Sequence, residues 1–311
     1  MKGSLALALL LLAGCSSSPP RFETYSGTMK DQKGFFIIYG DTRDHDPREV
    51  WREHATAQRL EVSKRLVAEA PDFIVSTGDL VRCGALVSEW ERFDQENAGL
   101  REKGIAYFPA LGNHDYLGDP KQALSNFFGH FPALSGRKWY DLRYRGLLLL
   151  VLDSNVDQLA PYERELEAKW LDEQLDRAEK DDAVKWIVLS SHHTPYTNAV
   201  LFSDSRWVQV TFLNRARRAK KFRAYIAGHV HSYERFRLDG IDFVVSGGGG
   251  APLNDVAGKN GPHPDLYDGP RLFHYIKVTV ANDVKLETVM LDDTDEPFAL
   301  RWKVVDSFRF E

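Results

Sequence analysis

Short apolar runs alternate with longer amphipathic stretches through most of the chain. Phe35–Tyr39 (FFIIY) reads as a buried strand, with Asp72–Thr77 and Ile105–Ala110 as two more. Between them, Glu49–Ala70 carries a helical pattern that stops before Pro71, and Ser88–Lys103 carries another with Ser88 placed as its cap. Farther on, Leu147–Leu152 and Trp186–Ser190 are apolar runs of the kind covered on both faces. Leu166, Trp170, Leu171, Leu175 and Ala178 form one helical stripe between them. Ala224–Ala227 and Phe243–Ser246 read as short strands. The alternation His274-Ile276-Val278-Val280, a turn at Asn282-Asp283 and Leu286–Leu291 predict antiparallel hairpins. The expected class is α/β with an antiparallel end: two packed sheets flanked by helices, in one domain spanning 34–311.

The first residues break that pattern. Met1-Lys2-Gly3 is a short basic start, Leu5–Leu12 an apolar run, and Leu12-Ala13-Gly14-Cys15 a small-residue cleavage site. The run is too short for a bilayer span, which takes ~20 apolar residues, and no later segment approaches that length. This beginning resembles a bacterial lipoprotein signal, which implies a signal peptide over 1–15 ending at a lipidated Cys15. Ser16 rather than Asp resembles the outer-membrane sorting choice. The implied location is extracytoplasmic, on the outer membrane of a Gram-negative bacterium, facing the periplasm or the cell surface. Residues 16–33 are polar and Pro-containing and read as a flexible tether. With Cys15 lipidated, Cys83 has no second cysteine to pair with.

Composition adds one exclusion. With 43% hydrophobic and 27% charged residues over 311 positions, the chain is ordinary globular material. A net charge of -5 carries no nucleic-acid footprint, and loss of Lys2 with the signal makes it more acidic still.

The candidate chemistry sits at strand ends. Gly40-Asp41 closes the first strand, Gly78-Asp79 the second and Gly112-Asn113-His114-Asp115 the third. His192-His193 follows the Trp186 run, and Gly228-His229-Val230-His231 follows the Ala224 run. Open α/β sheets build their sites at this edge. A Gly before a ligand is expected to allow the tight turn that returns a short side chain over the edge. Two Asp, one Asn and three His are oxygen and imidazole donors without a thiolate. Such a set suits Zn, Mn or Fe, and suits two ions sharing a bridging carboxylate.

The series GD…GD…GNHD…HH…GHVH resembles the calcineurin-like metallophosphoesterases. GHVHSYER (228–235) resembles the purple acid phosphatase branch in particular, as does the helix bearing Glu165…Trp170-Leu171. The resemblance implies a four-layer α/β/β/α sandwich of two mixed sheets and a centre of two divalent or trivalent metal ions (Fe, Mn or Zn). It implies that Asp41, Asp79 and His231 hold the first metal. Asp79 would bridge to a second, completed by Asn113, His192 and His229. His114 would lie just outside, stabilising the transition state or protonating the leaving oxygen. The implied reaction is attack of a metal-activated hydroxide on phosphorus. The ions outweigh Asp41, Asp79 and the hydroxide, so the centre attracts an anionic ester. Hydrolysis of phosphomonoesters is favoured. A phosphodiesterase or nucleotide pyrophosphohydrolase is the alternative enzyme, and a metal- or phosphate-binding surface lipoprotein the alternative of another class. The partners are a small phosphorylated substrate and, through Cys15, membrane lipid.

Two positions depart from the family pattern. Family members place a His two residues after the first Asp, or a Tyr or acid three after the bridging Asp. This chain has Arg43 and Arg82 there. A guanidinium repels a metal ion but matches phosphate with two parallel hydrogen bonds. Both arginines are therefore expected to bind substrate, Arg43 ahead of Arg82, with loop acids such as Asp44 or Asp46 as their other partners. Without a Tyr ligand no tyrosinate-to-iron charge transfer is expected, so the protein is not expected to be purple even with iron bound. His193 is expected beside the substrate. His45, His54, His130, His263 and His274, the run Gly247–Gly250 and the basic cluster at 215–221 read as structural or surface features.

Overall fold

The computed structural model describes residues 20–22, 30–45, 55–292 and 301–310. Cys15 with the signal segment, most of the expected tether, residues 49–54 of the first expected helix, Asp46 and His54 lie outside the described residues.

Strands β1 (Phe35–Tyr39), β2 (Phe73–Ser76) and β3 (Ala106–Pro109) run parallel. The C-terminal strands β10 (His274–Val280), β11 (Val284–Asp292) and β12 (Arg301–Phe310) extend them antiparallel, in the order β12-β11-β10-β1-β2-β3. The second sheet uses β4 (Tyr140–Tyr144), β5 (Leu147–Val151), β6 (Trp186–Ser191), β7 (Phe222–Ala227), β8 (Tyr233–Leu238) and β9 (Ile241–Ser246). Its order is β4-β5-β6-β7-β9-β8, with antiparallel edge strands around a parallel middle. The two sheets are mixed and flanked by helices, as expected.

β5 shows why its apolar run is continuous. Leu147, Leu149 and Val151 join one buried cluster together with Phe36, Phe73 and Tyr144. Leu148 and Leu150 join another with Leu171, Leu175 and Ala178 of the helix Pro161–Lys180. A strand with a core on each face has no position for a polar side chain.

Several expectations shift. Leu166 is 53% exposed. The inward position is taken by Glu167, whose Oε1 accepts a hydrogen bond from Asp153 N at 2.7 Å. The helix expected over 88–103 is two pieces, Val87–Glu96 and Ala98–Glu102, and Leu86 rather than Ser88 precedes the first. Asn97 interrupts it by turning its Nδ2 back onto Phe93 O at 2.8 Å, an alternative to helical propagation that Asn side chains offer. The first helix begins at Thr56 within the described residues. Part of the expected tether packs on the domain: Phe22 is 4% exposed, lies between Phe93, Tyr107 and Phe131, and donates its N–H to His130 O. Asp72 accepts the backbone N–H groups of Gln32, Lys33 and Gly34, so the entry to β1 is fastened as well.

Candidate metal centre

The carboxyl ends of β1, β2 and β3 bring Asp41, Asp79 and Asn113-His114 to one side of a cleft. The ends of β6 and β7 bring His192 and His229-Val230-His231 to the other. Asp41, Asp79 and His229 have φ of 59°, 55° and 70°. Left-handed backbone at non-glycine residues costs on the order of 1–3 kcal/mol and persists where its surroundings enforce it. Here Asp41 N donates to Gly78 O at 2.9 Å, while Thr42 N and Arg43 N share Asp79 O at 3.0 Å. The glycines do something other than expected. Among those preceding ligands only Gly78 has positive φ. Gly40, Gly112 and Gly228 are required because a Cβ there would overlap Thr77 Oγ1, Asp79 or Asp41 Oδ2. They admit neighbouring loops at close range, and the turn itself is made by the polar residue.

The expected donors converge. His192 Nδ1 is 3.0 Å from Thr77 O and His231 Nδ1 is 2.7 Å from Pro252 O. A carbonyl only accepts, so both rings carry their proton on Nδ1 and turn the Nε2 lone pair inward. His192 Nε2 then faces Asn113 Oδ1 at 2.9 Å and Asp79 Oδ1 at 3.4 Å. His229 Nδ1 lies 3.1 Å from the same Asn113 oxygen and 3.2 Å from His192 Nε2. His231 Nε2 faces Asp41 Oδ1 at 3.5 Å. Acceptors pointing at acceptors in a buried cleft are a poor arrangement for themselves and a good one for a cation. Burial, and next the Asp79 charge, hold the Asp41 carboxyl well above its usual range. Burial likewise pushes His192, His229 and His231 well below the ordinary imidazole value, which keeps them neutral and able to ligate. The donor set fits metal ions of the kind named above.

His114 N donates to Asp79 Oδ1 at 2.9 Å, and its Nδ1 is 2.7 Å from Arg82 O, which fixes the proton on Nδ1 and leaves Nε2 for a ligand. His193 hydrogen-bonds Ser154 Oγ through Nδ1 at 2.9 Å and lies against the His229 ring at 4.4 Å. With His192 and His229 it makes a second cluster able to hold an ion, beside that of Asp41, Asp79 and His192.

The two arginines part company. Arg43 is buried, donates from Nη1 to Asp44 O at 3.0 Å and places Nε 4.0 Å from Asp79 Oδ2. Arg82 turns instead to Glu89, with Nε at 3.0 Å and Nη2 at 2.9 Å from the same Oε1. It is committed seven residues along its own chain, and only its carbonyl serves the site. Glu89 continues a line of ion pairs through Arg92, Glu96 and Arg59 to Asp44, the residue next to Arg43.

Three contributors go beyond the roles read from the sequence. Asp115 accepts backbone N–H groups from Asp79, Leu80, Val81 and Gly112, binding the β2 and β3 loops together; its place in GNHD is the available signal. Glu234, within GHVHSYER, accepts Thr197 Oγ1 at 2.6 Å and Asn198 N at 2.8 Å. Burial raises its carboxyl to about 7. His263 is no mere loop decoration, since it joins Asp204 at 3.0 Å through Nε2.

Two sheets whose facing edges hold carboxylates, an amide and imidazoles around a cation-sized meeting point define a metallophosphoesterase. The model of the calcineurin-like phosphoesterases matches residues 36–233, and the chain belongs to that family, whose members hydrolyse phosphoric ester bonds. Membership implies a dinuclear metal centre. Among curated proteins it is similar to "Serine/threonine-protein phosphatase CPPED1" of Danio rerio, 28% identical over 219 residues, covering 66% of this chain and 69% of that one. Among solved structures it resembles a purple acid phosphatase from yellow lupin (Lupinus luteus) at 20% identity and a TM-score of 0.64. That match covers 88% of this chain but 53% of the lupin chain, so the fold is shared with about half of the plant enzyme. It also resembles GAP50, the anchor in the inner membrane complex of Plasmodium, at 17% identity and a TM-score of 0.63, with 88% and 87% covered.

Proposed function

We propose that this phosphoesterase hydrolyses phosphomonoesters outside the cytoplasm, held to the membrane by lipid on Cys15. The carrying observation is the convergence of Asp41, Asp79, Asn113, His192, His229 and His231, with the Nε2 lone pairs of His192 and His231 turned inward. Asp41, Asp79 and His231 would hold one ion and Asp79, Asn113, His192 and His229 the other. Once bound, the ions would polarise the phosphoryl oxygens and lower the pKa of an attacking water. The remaining work falls to the chain. Arg43 neutralises and orients the phosphate dianion beside Asp79, while His114 Nε2 meets the ester and serves the departing oxygen. In the overall reaction water adds to phosphorus, the phosphorus–alcohol oxygen bond breaks, and the alcohol leaves with a proton. Arg82 has no part in this reading, because Glu89 holds its guanidinium. No tyrosinate–iron band is expected: Tyr39 is hydrogen-bonded to Tyr107 and Tyr233 to Asp306.

The test is hydrolysis of p-nitrophenyl phosphate and its bis ester by the full chain supplied with Mn, Zn or Fe, beside Asp79→Asn. Monoester turnover that the variant lacks supports the reading. A faster bis ester favours the phosphodiesterase alternative. Stoichiometric metal or phosphate binding without turnover favours a binding protein. For the anchor, acyl labelling of cells expressing the chain should be lost in Cys15→Ser; labelling that persists removes Cys15 from the reading.

A further inference from the structure

The loop following β6 is held on both sides of an apolar tip. Ahead of the tip, Thr197 and Asn198 are fixed by Glu234, and Asn198 Nδ2 donates to Gly258 O at 2.8 Å and His263 O at 2.9 Å. At the tip, Val200 N donates to Asp255 O at 3.0 Å. Beyond it, Asp204 accepts Thr197 N and is joined by His263. These bonds use backbone and polar side chains only. Yet the tip presents Val200, 64% exposed, and Leu201, 76% exposed, and the half-buried Phe202 beside them packs against the second core cluster. The Phe202 ring stands edge-on to His229, with centroids 5.0 Å apart. Scattered exposed apolar residues need no explanation, but two exposed ones on a fastened loop, continued by a half-buried ring that touches a donor of the metal centre, do.

We propose that Phe202, with Leu201 and Val200 beyond it, is the wall against which the alcohol part of the substrate lies, so that the preferred phosphomonoester has an apolar leaving group. This rests on the phosphomonoesterase reading above. Among the described residues, Arg43, His114, Asn113 and the Ser154-bound His193 are charged or hydrogen-bonding and suit the phosphate end. An ester whose phosphate meets the donors around His229 has its carbon skeleton within reach of Phe202. Apolar carbon laid on that ring leaves water together with the ring, whereas a polyol there would lose hydration without finding partners. The apolar group could be an alkyl chain or an aromatic ring, and the probes below separate the two.

The experiment measures kcat/KM of the full chain in detergent, loaded with Mn²⁺, for hexyl phosphate, benzyl phosphate and glycerol 3-phosphate. All three leave as alkoxide-type alcohols, so chemical reactivity alone separates them little. The expected result is a preference of about tenfold or more for hexyl or benzyl phosphate over the glycerol ester. Leu201→Ser, at an exposed position, should shrink that ratio about threefold, and Phe202→Ser should shrink it further. Benzyl ahead of hexyl assigns the wall to rings, and the reverse assigns it to chains. Equal kcat/KM for the apolar and glycerol esters, or a ratio that neither substitution moves, overturns the proposal. If none of the three esters turns over, the phosphomonoesterase reading falls and binding decides the wall separately. Hexylphosphonate should then bind the Mn²⁺ protein about tenfold more tightly than methylphosphonate by calorimetry, and less so in Leu201→Ser. Equal binding of the two phosphonates overturns the wall.

Discussion

The two sheets furnish unlike halves of one centre. From β1, β2 and β3 come Asp41, Asp79, Asn113, His114 and Arg43, backed by ion pairs that run from Asp44 to Arg82. From β6 and β7 come His192, His193, His229 and His231, neutral rings with an aromatic flank at Phe202. One half supplies carboxyl groups, an amide and a guanidinium, and the other supplies neutral imidazole donors. A cation needs both. The division also gives a phosphate ester a direction, with its anionic end toward Arg43 and its carbon end toward the imidazole half.

The sharpest test of the charged half is His114→Ala, which should lower kcat about a hundred- to ten-thousandfold with metal content unchanged by elemental analysis. A variant with ordinary kcat would take the catalytic role away from this side. Next comes Glu234→Gln, on the imidazole side. The Glu234 carboxyl is raised to about 7 in the fold from an ordinary 4.5. Its contribution is fully present below pH 4.5 and is lost as pH rises through 7, because charging it in the fold is costly. That loss amounts to about 3 kcal/mol at most. Unfolding free energies of the two proteins should therefore diverge in favour of Gln between pH 4.5 and 8, and parallel curves would mean that Glu234 titrates normally. Asp115→Asn keeps one side-chain oxygen but takes the acceptor from two of the four backbone amides, and should weaken metal binding about 10- to 100-fold in a chelator competition. Unaltered affinity would show that the β2 and β3 loops hold their shape without it. Arg43→Ala, the mildest, should lower kcat/KM about tenfold for a monoester while leaving metal content intact. If metal content falls and phosphate affinity does not, Arg43 supports the ions and the clamp is wrong.

Much of the fold and centre is legible in the sequence wherever local pattern and chemistry coincide. A buried apolar run followed by Gly-Asp, Gly-Asn-His, His-His or Gly-His gives both a strand and its terminal side chain, so the six candidate donors stand out locally, while their assignment to metals comes from the family resemblance. What escapes depends on partners distant along the chain or in space. Arg82 and a phosphate clamp look alike until Glu89, seven residues on in the first turn of the next helix, is known to face it in space. The edge strand β4 hides its alternation of buried Tyr140, Leu142 and Tyr144 among charged residues, and β8 reads as a polar segment. Leu166 and Glu167 exchange expected places because an inward carboxylate meets Asp153 N, a contact no periodicity can show. The glycines mark the right positions for a reason other than turning, since close approach between loops leaves no local trace.

The left-handed backbone at Asp41, Asp79 and His229 restricts which residues could ever replace them. Asp, Asn and His are the non-glycine side chains found most readily in that conformation, and they are also compact oxygen or imidazole donors. A Glu or Cys could coordinate an ion as well, yet would meet a conformational cost of about 1–2 kcal/mol before any ion arrived. Dihedral angle and donor chemistry thus select the same short alphabet at these three positions. A library randomised there and screened only for folding should already be enriched in the letters that bind metal.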